Sequence, residues 1–158
     1  FPVADDAFLK ERLAALCEGL RSFNEVREAG LLNALQASLT AQQARLLHTE
    51  APDRITLPGG RSVQVHYEPA RPPWIESRLQ DFFGLLKGPA IGRAPLVLHL
   101  LAPNMRAVQV TTDLSGFWDR HYPAIRKELM RQYPRHSWPE DPRNAAPPPP
   151  RPPRPPRR

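Results

Sequence analysis

The chain has 158 residues, with 22 Lys+Arg against 16 Asp+Glu and a formal net charge of +6, which is room for one domain of ordinary size, or one domain and a tail. Its 21 prolines are well above the usual share of roughly 5%, so part of the chain is not packed core. No apolar run approaches the roughly 18 residues of a membrane helix, and a single cysteine, Cys17, excludes an intramolecular disulfide framework and the thiolate clusters of structural zinc.

Cys17 stands among Leu13, Leu16 and Leu20 and reads as a buried structural thiol in a reducing compartment, so a soluble, cytoplasmic protein without a membrane partner is expected. Phe1 rather than Met heads the chain, and no charged segment leading into an apolar stretch follows it. The sequence therefore reads as a piece of a longer protein.

From Asp5 to Leu20 the residues Phe8, Leu9, Leu13, Leu16 and Leu20 recur at helical spacing, with Asp5 or Asp6 available as N-cap. Ser22 and Glu25 have capping-box spacing and start a short helix that Gly30 can close. Leu31, Leu32, Leu35 and Leu39 make a third stripe, and Thr40 with Gln43 repeats the box ahead of a fourth helix. Residues 1–51 are expected to form a helical accessory segment, bounded by Ala51-Pro52.

At Ile55 the period changes. Ile55 and Leu57 precede Pro58-Gly59-Gly60, after which Val63, Val65 and Tyr67 alternate with polar residues as in a half-buried hairpin. Ile75, Leu79, Phe82, Phe83 and Leu86 then fall on one face of an expected helix ended by Gly88-Pro89. Leu96 to Leu101, bracketed by Pro95 and Pro103, reads as a buried central strand, and Val108, Val110 and Thr112 as its partner across Asn104-Met105-Arg106. Asp113 can cap a helix carrying Trp118, Tyr122, Ile125, Leu129 and Tyr133 inward, with a break at Pro123. The expected class is α+β: helices first, then a small antiparallel sheet in ββαββα order over residues 52–142, covered by helices. The last residues, 143–158, hold little to bury and are expected to be a disordered Pro/Arg tail of polyproline character that stays off the core.

Catalytic signatures are absent: there is no G-x-x-x-x-G-K-[ST], G-x-S-x-G or H-E-x-x-H, and the five histidines show no metal-ligand spacing. His99 reads as a satisfied imidazole in a strand. No catalytic residue, metal site or cofactor is assigned to these residues. Charge, by contrast, is unevenly placed, since residues 1–119 balance to −1 while residues 120–158 carry +7. Within that quarter Arg120, Arg126, Lys127, Arg131, Arg135 and His136 cluster with Trp118, Tyr122, Tyr133 and Trp138. Cations of this kind neutralise phosphates and aromatic rings stack unpaired bases; equally, the cations could form a solvated outer face whose aromatics are core. Both readings stand on composition. Arg106, in the turn before the last strand, joins the candidate nucleic-acid-binding set.

The run Val108-Gln109-Val110-Thr111-Thr112-Asp113-Leu114-Ser115-Gly116-Phe117-Trp118, then Arg126-Lys127-Glu128-Leu129, then Tyr133-Pro134-Arg135-His136-Ser137-Trp138-Pro139-Glu140-Asp141-Pro142, resembles the C-terminal domain of the HrpB family of bacterial DEAH-box ATP-dependent RNA helicases. Leu57-Pro58-Gly59-Gly60, Arg78-Leu79-Gln80-Asp81-Phe82-Phe83-Gly84 and Gly92-Arg93-Ala94-Pro95-Leu96 agree in order. The resemblance implies a parent whose two motor domains hydrolyse ATP with Mg and move along RNA, while this chain is an accessory domain that binds nucleic acid, docks on the motor, or both. It makes Trp118, Tyr133, Pro134, Trp138, Pro139 and Pro142 a structural signature that locks the last segment onto the sheet. The implied partners are RNA or single-stranded nucleic acid and the motor of the same chain. The Pro/Arg tail has no counterpart in the shared motif; by its composition it is expected to bind RNA or a polyproline-binding groove. The alternative is a protein-interaction module without RNA affinity.

Overall fold

The computed structural model describes residues 5–149, and the chain divides into two units, one ending at Ala51 and the other beginning at Pro52. In the first, four helices follow one another: α1 (Asp6–Cys17), α2 (Phe23–Ala29), α3 (Leu31–Ala37) and α4 (Ala41–Glu50). The starts of α1, α2 and α4 are each fixed by a side chain that satisfies an otherwise unpaired N–H, while α3 follows directly on Gly30 without a side-chain cap. Asp5 Oδ1 accepts from Phe8 N–H at 2.8 Å and Ser22 Oγ from Glu25 N–H at 3.3 Å. Thr40 and Gln43 close a full capping box at 3.2 and 2.9 Å. The Glu25 carboxylate reaches one residue beyond the box, to Arg21 N–H at 2.8 Å.

None of these four helices buries a residue completely. Cys17 is accordingly exposed, not the buried thiol expected from its leucine neighbours. A unit this small encloses too little volume to cover every position of its apolar stripes.

The second unit is built on a five-stranded sheet with spatial order β1-β2-β3-β6-β7, made of β1 (Arg54–Thr56), β2 (Ser62–His66), β3 (Trp74–Arg78), β6 (Val97–Leu101) and β7 (Ala107–Thr111). A separate two-stranded ladder joins β4 (Ala90–Ile91) to β5 (Ala94–Pro95). The class is α+β, as the sequence indicates, but two details differ from expectation. The helix expected over Ile75–Leu86 is a strand, β3, followed by a 3-10 turn at Leu79–Phe82. The sheet is also mixed: β3 runs parallel to β6, in register from Trp74↔Val97 to Arg78↔Leu101, while the other pairs are antiparallel.

Both differences have one origin. Pro72 and Pro73 hold the chain extended on entry, and Ile75 and Ser77 then face the core while Trp74, Glu76 and Arg78 face away. The tight turn buries Leu79, Gln80, Asp81 and Phe82 in succession. Ile75, Leu79, Phe82 and Phe83 are all in the core, but a strand and a turn place them there, and the fifth member of the supposed stripe, Leu86, is exposed. Residues 79–96 supply the long crossover that a parallel pair requires.

One hydrophobic cluster joins the inward face of the sheet (Val63, Val65, Ile75, Leu98, Leu100) to Leu114, Phe117 and Trp118 of α5 (Leu114–Arg120) and Tyr122 and Leu129 of α6 (Tyr122–Gln132). Asp113 caps α5 through Gly116 N–H at 2.8 Å. The helices break at His121, leaving Pro123 in the first turn of α6, where its missing N–H costs nothing. Among the described residues no helix is long and apolar enough to cross a membrane.

The start of the expected free tail packs on the domain. Gly84 N–H bonds Pro142 O at 2.9 Å, Arg143 pairs with Asp119 and reaches Ser115 O, and Ala145 joins the core margin. Pro147 and Pro148 press on Gly59 so closely that a Cβ there would meet them at 3.1 Å. One ion pair and a few apolar groups suffice to hold a segment whose prolines have little entropy to lose. The rest of the expected tail, residues 150–158, lies outside the described residues.

Candidate nucleic-acid interface

The C-terminal signature is a closure. Trp118 Nε1–H donates to Leu85 O at 2.9 Å, Tyr122 OH to Pro139 O at 2.9 Å, and Trp138 Nε1–H to Tyr133 O at 3.1 Å. Trp138 and Pro142 are buried, Tyr133 and Pro139 half-buried, and Pro134 is exposed. Burial pushes the Tyr122 hydroxyl up to about 12, against the opposing pull of the Arg126 charge. Across from this segment Gln80, itself buried, donates through Nε2 to Ser137 O at 2.9 Å and lies 3.2 Å through Oε1 from His136 Nδ1. Gln80 is a positioning residue that the sequence reading quoted but gave no role, because its partners lie more than fifty residues away.

Four of the seven candidate binding residues are occupied within the fold. Arg126 Nε–H donates to Trp138 O at 2.8 Å, with its side chain only 22% exposed. Arg120 pairs with Asp113 at 2.9 Å. Gly116 N–H first, and Arg120 second, hold the Asp113 carboxyl below its ordinary range. Arg131 grips Glu128 through two contacts of 2.7 and 2.9 Å, which lowers the carboxyl and raises the guanidinium. His136 faces Gln80. Arg106, Lys127 and Arg135 are exposed, and among the described residues no side-chain hydrogen bond or ion pair engages them. The seven come from three parts of the chain. Arg106 sits in the β6–β7 turn, Arg120, Arg126, Lys127 and Arg131 on the two last helices, and Arg135 and His136 on the closing segment.

Three further aromatic rings and two arginines gather on the outward face of the sheet: His66, Trp74, His99, Arg54 and Arg78. The alternation of β2 and β6 could have exposed part of this face, but reading Ile75–Leu86 as a helix removed Trp74 and Arg78 from it.

The family described as ATP-dependent helicase C-terminal, of the HrpB type, matches residues 12–142. The chain is 37% identical over 153 residues to the ATP-dependent RNA helicase HrpB of Escherichia coli strain K12, an alignment covering 93% of this chain and 19% of that protein. A crystal structure of the E. coli DExH-box NTPase HrpB superposes with a TM-score of 0.85 at 37% identity, over 93% of this chain and 19% of that one. A second, of the E. coli DEAH/RHA helicase HrpB, gives 0.67 at 34% identity, over 87% and 18%. The chain thus spans about a fifth of the length of these relatives.

Proposed function

This chain belongs to the HrpB-type family of ATP-dependent helicase C-terminal regions, and from that premise we propose that it is an accessory domain of an RNA helicase that holds nucleic acid beside the motor. One observation carries the nucleic-acid part. In a domain where Arg61, Arg71, Arg120, Arg126, Arg131 and Arg143 are each close to a carboxylate, Arg106, Lys127 and Arg135, like Lys87 and Arg93, are left exposed without one among the described residues. Such cations are suited to phosphates, whose neutralisation releases counterions. These residues contain no G-x-x-x-x-G-K-[ST] motif, and the reading assigns ATP and Mg, with the hydrolysis step, to motor domains of a longer protein.

A salt titration of single-stranded RNA binding by the 158-residue chain tests this. The slope of log affinity against log salt should become shallower by about 0.7 for each of Lys127→Ala and Arg135→Ala. Affinity indifferent to salt would refute it. A second reading, docking onto the motor, is favoured by the helical unit, where Phe23 is 93% and Leu32 66% exposed. Large apolar side chains of this kind mark contact surfaces when they cluster. Salt-tolerant binding to the separately expressed motor, lost in Phe23→Ser with Leu32→Ser, would support that reading.

A further inference from the structure

The outward face of the sheet carries a feature that the closing segment and the paired cations leave unexplained. Along β2, β3 and β6 the core takes Val63, Val65, Ile75, Leu98 and Leu100, so alternation turns His66, Trp74 and His99 to the other side. Their rings stack. The His66 imidazole lies 3.9 Å from the Trp74 ring at 13° between planes, and His99 lies 4.5 Å from it at 20°. Since β2 and β6 flank β3, the two imidazoles sandwich the indole, each keeping one face turned away from it. Glu68 fixes the indole by accepting from its Nε1–H at 3.2 Å.

Beside this column the sheet opens. Pairing of β2 with β3 stops after Val65↔Ile75 and His66↔Trp74, although β2 begins at Ser62 and β3 runs on to Arg78. Between the parted strands is a cleft of about 450 Å³ whose lining includes Arg54, Arg61, Arg78, Glu76 and Met105. Arg61 is held 2.9 Å from the buried carboxylate of Asp81, and Arg54 bonds Ser62. Among the described residues no hydrogen bond or ion pair engages the Arg78 side chain. Met105 stands on the rim in a left-handed conformation, φ 68°, uncommon for its residue type.

We propose that this face binds single-stranded RNA, with unpaired bases stacking against the His66–Trp74–His99 column and the adjoining phosphate held by Arg78 at the cleft. The proposal rests on the helicase reading above and adds a surface to it. Aromatic rings accept any unpaired base, and here they are already stacked, so little ordering is required on binding. A duplex keeps its bases paired and its major groove too narrow for side chains, so the column selects single strands. Glu76, exposed on the same face and opposite His99 in the ladder, opposes the phosphates and limits affinity.

The test is fluorescence anisotropy of the 158-residue chain with a labelled single-stranded oligouridine and with an RNA duplex of equal length. Trp74→Ala and Arg78→Ala are each expected to weaken single-strand binding roughly tenfold. Trp74→Phe should retain most of it and Glu76→Gln should strengthen it. Arg45→Ala, an exposed cation of the helical unit, is the control for charge alone. Far-UV circular dichroism checks that each variant is folded; should Trp74→Ala unfold, Arg78→Ala and Glu76→Gln decide. Parent-like binding by the Arg78 and Glu76 variants, or equal affinity for the duplex, overturns the proposal while leaving an RNA-binding domain. Absence of any RNA binding by the parent chain overturns the nucleic-acid reading as well. Loss of motor binding instead of RNA binding in these variants would make the face a protein-docking surface and overturn the proposal.

Discussion

Arg126 separates a structural from a nucleic-acid role most cleanly, because the sequence places it in the binding set and the fold gives it other work. In Arg126→Ala the carbonyl of the buried Trp138 loses its donor at 2.8 Å. Leaving such an acceptor unpaired costs about 1–3 kcal/mol. The largely covered side chain also loses the packing of its methylene stem, about 1 kcal/mol more at roughly 0.8 kcal/mol per fully buried CH₂. The Glu140 carboxylate, 3.8 Å away and 89% exposed, adds little, as surface pairs contribute about 0–1 kcal/mol. The total is about 3 kcal/mol.

All three tryptophans lie in the second unit, at positions 74, 118 and 138, so thermal unfolding followed by tryptophan fluorescence reports that unit alone. A loss of about 3 kcal/mol in a unit near a hundred residues lowers Tm by roughly 13 °C. At temperatures where the variant is folded, its RNA affinity should stay close to that of the parent. Lys127→Ala is the counterpart, with stability changed by no more than about 0.5 kcal/mol and a shallower salt dependence. An Arg126→Ala protein with parental Tm and lost RNA binding would refute the assignment of Arg126 to the closure.

Three further outcomes follow from the same contacts. Tyr122→Phe should destabilise by about 1 kcal/mol through the lost bond to Pro139 O. Because the folded hydroxyl titrates at about 12 against an unfolded value near 10, the stability it contributes is complete below about 10 and disappears as pH rises through 12; the variant should lose that alkaline dependence in denaturation curves. Asp113 and Glu128 are shifted down, so their contribution is complete above the unfolded carboxylate range near 4 and lost as pH falls through the lower folded values. Asp113→Asn should therefore flatten the fall of Tm between pH 5 and acid. Gly59→Ala should push Pro147 and Pro148 away, speeding proteolysis after position 142 without altering the far-UV spectrum.

What was legible in the sequence was local. Caps at Asp5, Ser22, Thr40 and Asp113 are written within three residues of the N–H groups they serve, and the turn at Pro58-Gly59-Gly60 and the alternation after it fix β1 and β2 without help from the rest of the chain. The apolar run at Leu96–Leu101 was equally direct, since Leu98 and Leu100 fill the core from a central strand whose other face carries Val97 and His99. What failed was long-range. Ile75, Leu79, Phe82 and Phe83 satisfy a helical period as well as they fill a core through a strand and a turn, and only the parallel pairing to β6 decides between them. The exposure of Cys17 is not revealed by its own stripe, and the docking of Arg143 and Pro147 on partners a hundred residues or less upstream has no signature near the prolines.

Pairing within the fold, which is long-range as well, divides the candidate cations into engaged and unengaged groups. The net charge over residues 120–158 is +7, yet Arg120, Arg126, Arg131 and Arg143 are engaged by Asp113, Trp138 O, Glu128 and Asp119. A guanidinium already holding a carboxylate must give up that contact before it can hold a phosphate, so its net gain on binding is small. On the proposed reading the residues left to recognise RNA are those with no internal task, and charge counting cannot find them because pairing is a property of the fold. The Arg78 side chain, outside the basic quarter, meets that criterion among the described residues; Arg126, at its centre, does not. If binding follows Arg78, Lys127 and Arg135 and ignores Arg126, the pattern of internal pairing, and not the density of positive charge, marks where this domain meets nucleic acid.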